Sequence, residues 1–165
     1  MFSRLILSFM VIQLIVSSTS AQVFIPFSVW RPKNNLGALV ISDATTYNYG
    51  TIAINTDADH IFTLTNTSYI GVTNIAADTF TGHTDSFNFK GGTFPGTGGD
   101  CGTTLAGSAS CIFVVTANRA SAGARTATTR INYSAASNNQ SLAQTATRDV
   151  TATFSGTPTR LAWVN

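Results

Sequence analysis

The sequence predicts an all-β domain: two antiparallel sheets packed face to face in a sandwich of about seven strands. Three observations predict it. Short segments of alternating apolar and polar residues recur between turn signals, and no helical period follows the first 21 residues. Threonine dominates the polar residues, while there is no glutamate and only two lysines, Lys33 and Lys90; strand formers abound and straight-chain helix formers are scarce. The only two cysteines, Cys101 and Cys111, bracket a small-residue turn that leads directly into Ile112-Phe113-Val114-Val115-Thr116.

Residues 1–21 read as an export signal. Arg4 gives the positive start, Leu5 to Val16 is apolar apart from Ser8 and Gln13, and Thr19 and Ala21 supply the small side chains of a cleavage site before Gln22. The apolar run falls short of the ~20 residues that span a bilayer. The rival, an uncleaved anchor, is disfavoured by that length. Residues 22–35 form an apolar arm containing Pro26, in which Val23, Ile25, Phe27 and Val29 fall at period two. Pro26 restricts such a strand to a sheet edge.

The sandwich is expected over residues 36–157. Leu36 to Ser42 and Tyr47 to Ile54 are the first strands, with Tyr47 and Tyr49 on one face. His60 to Asn66 alternates cleanly, Phe62 and Leu64 facing one way and Ile61, Thr63 and Thr65 the other. Val72 to Ala77 is weaker. Ser86 to Lys90 places Phe87 and Phe89 together. Gly91 to Gly99 reads as a flexible loop. Cys111 to Ala117, Arg125 to Tyr133 and Arg148 to Phe154 complete the set, and residues 158–165 are a short tail with Leu161 to Val164 apolar. The expected core is Phe62, Leu64, Phe113, Val115, Ile131, Val150 and Phe154. Each such burial is worth about 1.5–3 kcal/mol.

These residues also carry a family resemblance. Tyr49-Gly50-Thr51-Ile52, then Phe62-Thr63-Leu64-Thr65-Asn66-Thr67, resembles the opening of the bacterial choice-of-anchor D repeat, aromatic-Gly-x-Val followed by Phe-x-Leu-x-Asn-x-Gly. Phe87-Asn88-Phe89-Lys90-Gly91-Gly92-Thr93, the segment from Cys101 to Cys111, Ala122-Gly123-Ala124-Arg125, Asn132-Tyr133 and Phe154-Ser155-Gly156-Thr157 follow in matching order, from about Leu36 to Thr157. The resemblance implies an immunoglobulin-like sandwich related to the Hydin and major-sperm-protein-like domains, in exported or cell-surface proteins, with no catalytic role. The chain departs from the family in holding one copy, without a sorting signal after Thr157.

Candidate chemistry is sparse. Cys101 and Cys111 are expected as one structural disulfide worth about 2.5–3 kcal/mol; a thiol pair or metal ligation is the alternative, though CxxC spacing and a nearby histidine are missing. Asn55-Thr56-Asp57-Ala58-Asp59-His60 has the alternating oxygens of a calcium loop but neither its glycine nor its glutamate, so a polar hairpin turn is expected. The glycine-rich run lacks the Lys-Ser/Thr ending of a phosphate loop. A hydrolase would need His60 or His83 to meet a carboxylate and a nucleophile. Arg119, Arg125, Arg130 and Arg148 read as the wet faces of strands. The sequons at Asn66, Asn132 and Asn139 read as chance in an Asn/Ser/Thr-rich chain.

The expected function is an exported, non-enzymatic module with a structural or adhesive role at the cell surface, secreted or periplasmic, with no cofactor, no metal and no catalytic residue. Its expected partner is a protein or cell-surface component, a second copy reached through the arm included. Scattered arginines argue against nucleic acid, and no membrane span is expected in the mature chain. The rivals are a pilin-like subunit assembling by strand exchange and a glycan-binding module using Tyr47, Tyr69, Trp30 and Trp163.

Overall fold

A computed structural model of the chain describes residues 38–137 and 140–156, all within the compact unit Asn35–Asn165. The export signal, the arm at residues 22–35, the tail at 158–165 and the sequon at Asn139 lie outside the described residues.

Nine strands are present among the described residues: β1 (Leu39–Ile41), β2 (Thr46–Ala53), β3 (Ala58–Asn66), β4 (Val72–Ala77), β5 (Thr81–Gly82), β6 (Phe87–Phe89), β7 (Ser110–Ala117), β8 (Gly123–Ser137) and β9 (Gln140–Ser155). They form two sheets. One has the order β1-β3-β7-β6; the other runs β2-β9-β8-β4, with β5 also on β8. The first order is that of strands A, B, E and D of an immunoglobulin constant-type sandwich, and β4, β8 and β9 take the places of C, F and G.

One pairing departs from a wholly antiparallel sandwich. β2 runs parallel to β9, from Thr46 beside Asp149 to Ala53 beside Ser155. The chain leaves the first sheet after β1 and joins the second through Ser42–Thr45, where Asp43 and Ala44 hold φ at 70° and 57°. Two consecutive left-handed residues break the strand. β2 then carries a bulge between Asn48 and Thr51, at Gly50, with φ 75° and its N–H donating to Asn48 Oδ1 at 2.8 Å. That backbone angle favours glycine at this position.

Every residue expected in the core is there: Phe62, Leu64, Phe113, Val115, Ile131, Val150 and Phe154 are at most 1% exposed. Phe62 stacks on Phe113 across the β3–β7 pair, with centroids 5.3 Å apart. The two sheets are also joined by a buried polar contact, the Leu39 N–H donating to the Tyr133 hydroxyl at 3.2 Å.

Three expectations need correction. Asn55–Asp57 is not a hairpin turn, because β2 and β3 lie in different sheets; it is a crossover, with Asn55 left-handed (φ 58°) and its N–H bonded to Arg119 O at 2.8 Å. Arg148 is not on a wet face. It shares the inward parity of Ala146, Val150 and Ala152, is 7% exposed, and its guanidinium donates to Ile41 O, tying β1 to β9. Gly91 to Gly99 is not a loose loop, because its backbone is bonded along the edge of β7.

Candidate functional site

The segment between β6 and β7 shapes one flank of the sandwich. β6 pairs with β7 only at Ala117, Thr116 and Val115. Beyond that point the glycine-rich run takes over the same edge. Lys90 N–H donates to Val114 O (3.0 Å), Val114 N–H to Pro95 O (2.8 Å), and Asp100 and Cys101 N–H to Ile112 O (3.0 and 3.2 Å). Ile112 N–H is held in turn by the Asp100 carboxylate at 2.6 Å. The glycines permit close approach. A Cβ on Gly96 would sit 2.4 Å from Val114 O, and one on Gly99 2.5 Å from Pro95 O. The run is therefore an ordered edge cover, and Phe94 within it packs on Phe89 and Phe113.

The same segment then reaches the other sheet. Cys101 and Cys111 are bonded, with S–S 1.98 Å and Cα–Cα 5.0 Å. From that staple the chain crosses to β4: Ile75 N–H donates to Thr103 O, and Val72 and Leu105 exchange bonds of 2.9 and 3.1 Å. One disulfide-braced segment thus covers the edges of both sheets.

Asn66 fixes the far end of this segment. It is fully buried at the close of β3. Its side-chain amide donates to Ile70 O (2.8 Å) and Ala106 O (3.1 Å), with Leu105 O at 3.4 Å, while its Oδ1 accepts from Ser68 N–H at 3.1 Å. The asparagine of the Phe-x-Leu-x-Asn motif is a clasp between two loops. Burial also withdraws it from any glycosylation of the folded domain.

Between the cover and the edge of the second sheet lies an open furrow. A cleft of about 380 Å³ is floored by Phe80, Phe89 and Phe94 and rimmed by Asp78, Asn88 and Thr93. A second, of about 340 Å³, adjoins it at Ala77 and Phe94 and runs past Ile75 to Cys101 and Thr103. Phe80 and Phe89 are buried, whereas Thr93, Asn88 and Asp78 are exposed. Apolar floor and polar rim together are what a preformed binding groove presents.

The other candidate groups do not converge on this furrow. His60 Nε2 lies 3.1 Å from Asp43 Oδ2 and its ring stacks on Tyr47, centroids 3.6 Å apart. Ser42 Oγ donates to Asp43 at 2.6 Å rather than meeting the histidine. The serine thus meets a carboxylate and not the imidazole that a triad sets beside its nucleophile. His83 sits apart, with Nδ1 2.9 Å from Thr126 O. Asp57 is bonded to the Asn118 amide, and Asp59 to Lys90 (2.7 Å) and Thr116, so the acidic loop is taken up by pairing. Among the described residues, the group that gathers potential metal ligands is Asp100 with Cys101 and Cys111, and oxidation leaves those sulfurs no thiolate. Of the aromatics proposed for a glycan, Tyr47 has a face taken by His60 and Tyr69 is 62% exposed; Trp30 and Trp163 lie outside the described residues.

The carboxylates set a pH dependence. Asp43 is held below the ordinary 3.8 by the Ser42 hydroxyl first and His60 next, and Asp59 by Lys90 and Thr116. A depressed folded value stabilises the fold above the unfolded value and loses that contribution as pH falls through the folded one. The melting temperature should stay flat down to about pH 5 and then fall below about pH 4. Asp43→Asn should shallow the fall, as thermal scans across pH would show. Tyr49, by contrast, is pushed up by burial and keeps its proton, donated to Val115 O at 2.9 Å.

Neither a protein-family model nor a curated protein sequence matches the chain. Among solved structures it is similar to a PapD-like domain of human CEP192 (ASH/PapD-like domain 7), with TM-score 0.51 and 10% identity over 78% of this chain and 92% of that one. The fold is immunoglobulin-like. A weaker likeness is to the VesB protease of Vibrio cholerae, with TM-score 0.47 and 17% identity over 73% of this chain. This chain spans 32% of that protein's length. Among the described residues no helix is long and apolar enough to cross a membrane.

Proposed function

We propose that the chain is an exported, non-enzymatic immunoglobulin-like module of the choice-of-anchor D type, with a structural or adhesive role at the cell surface, and that it holds a protein partner in the flank furrow. The observation that carries this reading is the hydrogen-bonded, disulfide-braced wall beside an open groove floored by Phe80, Phe89 and Phe94. The disulfide supports an oxidising compartment. The ordered motif set from Tyr49 to Thr157 supports the family, and the order of Ser42, Asp43 and His60, with the carboxylate between the other two, supports a binding rather than a catalytic role.

The test fills the groove without touching the core. Thr93 is exposed on the rim. Thr93→Arg should keep the melting temperature and lower binding of the exported protein to intact cells of its source by at least tenfold, about 1.4 kcal/mol. Equal binding by both proteins would place the partner elsewhere.

A further inference from the structure

Among the described residues, most sheet edges are guarded. β1, β5 and β6 have three residues or fewer, the outer edge of β4 is covered by Thr103–Leu105, and β7 is covered by the glycine run. β2 is bulged at Gly50. Short edges, covers and bulges are the usual devices against pairing with another chain.

Among the described residues, the first half of β9 has none of them. β2 accompanies β9 only from Asp149 onward, and no described strand lies beside Gln140–Arg148 on that side. Asp149 N–H points to Thr45 O at 3.4 Å. Strand period two then turns the amide and carbonyl of Thr147, Thr145, Ala143 and Ser141 toward the same open side. Gln140 to Thr147 contains no charge and no proline, and the β8–β9 register is unbroken along it. Leu142 is 39% exposed although it has the inward parity of the buried Ala146 and Val150, on the part of the hairpin nearest the tip.

We propose that this edge is a self-association surface: a second copy of the chain lays its own Gln140–Thr147 antiparallel against it, across a twofold axis, so that one sheet runs through both molecules. A second copy fits for two reasons. An uncharged edge meets its twin without the like-charge opposition that a charged one would impose. A straight strand paired antiparallel with itself also sets the outward-turned residues of one copy against those of the other, bond for bond. Arg148, the next residue, does not interfere, because its guanidinium is turned inward to Ile41 O. The surface is independent of the flank furrow.

The test is light scattering on the full chain recovered after export, from roughly 1 to roughly 100 μM, where a small edge-to-edge interface assembles. The mass should double across that range. Ala143→Pro removes an outward N–H that serves no bond among the described residues, and Thr145→Lys brings two like charges to diagonal positions across the twofold axis; both should stay monomeric with the parent's melting temperature. Ser141, Ala143, Thr145 and Thr147 amides should gain exchange protection as concentration rises. A monomer at every concentration, a dimer that survives both substitutions, or amides already protected in the dilute monomer would each overturn the proposal, the last by showing the edge covered within one chain.

Discussion

Replacing Asn66 with alanine should cost about 3 kcal/mol, among the largest single-residue effects in the domain. The reason is the loss of hydrogen bonds rather than of volume. The side-chain amide is the partner of Ile70 O and Ala106 O, and Oδ1 holds Ser68 N–H, all at a residue with no exposed surface. Truncation leaves the buried Ser68 N–H unpaired and strips the half-buried ends of two loops of their shared partner, and a buried unpaired group costs about 1–3 kcal/mol. Asn66→Asp sharpens the argument. It keeps the acceptor for Ser68 but offers no donor to the two carbonyls and buries a charge, so it should be at least as damaging as alanine. Urea unfolding of the three proteins checks the order. An aspartate variant as stable as the parent would mean that the loops do not need the clasp.

The second large effect is expected at Gly96. Its φ is 86°, and a Cβ would stand 2.4 Å from Val114 O, inside van der Waals contact. A left-handed conformation costs a non-glycine residue about 1–2 kcal/mol before any clash. Relief requires the cover to lift, which breaks the Val114 to Pro95 bond and withdraws Phe94 from Phe89 and Phe113. Gly96→Ala should therefore destabilise by about 3 kcal/mol. Gly92 has nothing within 4 Å of the point where a Cβ would stand. Gly92→Ala carries the backbone strain alone and should lose about 1–2 kcal/mol.

The contrast between these two glycines explains what the sequence could and could not reveal. Period-two alternation made the β3, β7 and β9 cores legible, because Phe62, Leu64, Phe113, Val115, Val150 and Phe154 must all leave water on one face. Glycine frequency is ambiguous in the same reading. Gly91 to Gly99 suggests freedom, but Gly96 and Gly99 serve close approach of backbone to backbone, which depends on neighbours far along the chain. The parallel β2–β9 pair was equally hidden, since Thr46 and Asp149 are brought together by no turn. Gln140 to Thr147 does not read as a strand because its inward positions near the hairpin tip, Gln140, Leu142 and Gln144, are not buried; little apolar sequence is needed there. Asn66 carried a signal: it continues the core-facing parity of Phe62 and Leu64, and a polar residue at such a position is buried at a cost unless it is bonded. Of the flank furrow the sequence showed only the disulfide wall. Phe80 and Phe94 lie outside the expected strands, and their meeting with Phe89 follows from the cover folding back on β7.

The segment from Lys90 to Cys101 is a fixed cover of the β7 edge rather than a loose loop. Hydrogen exchange at the Ile112 and Val114 amides tests it most directly, because their acceptors, Asp100 Oδ1 and Pro95 O, both belong to that segment. In the oxidised protein both should exchange within roughly tenfold of the rate at Phe113, the core residue between them, as amides opening in one cooperative unit do. Exchange of Ile112 and Val114 at the rate of an open strand edge, with Phe113 still protected, would contradict the account.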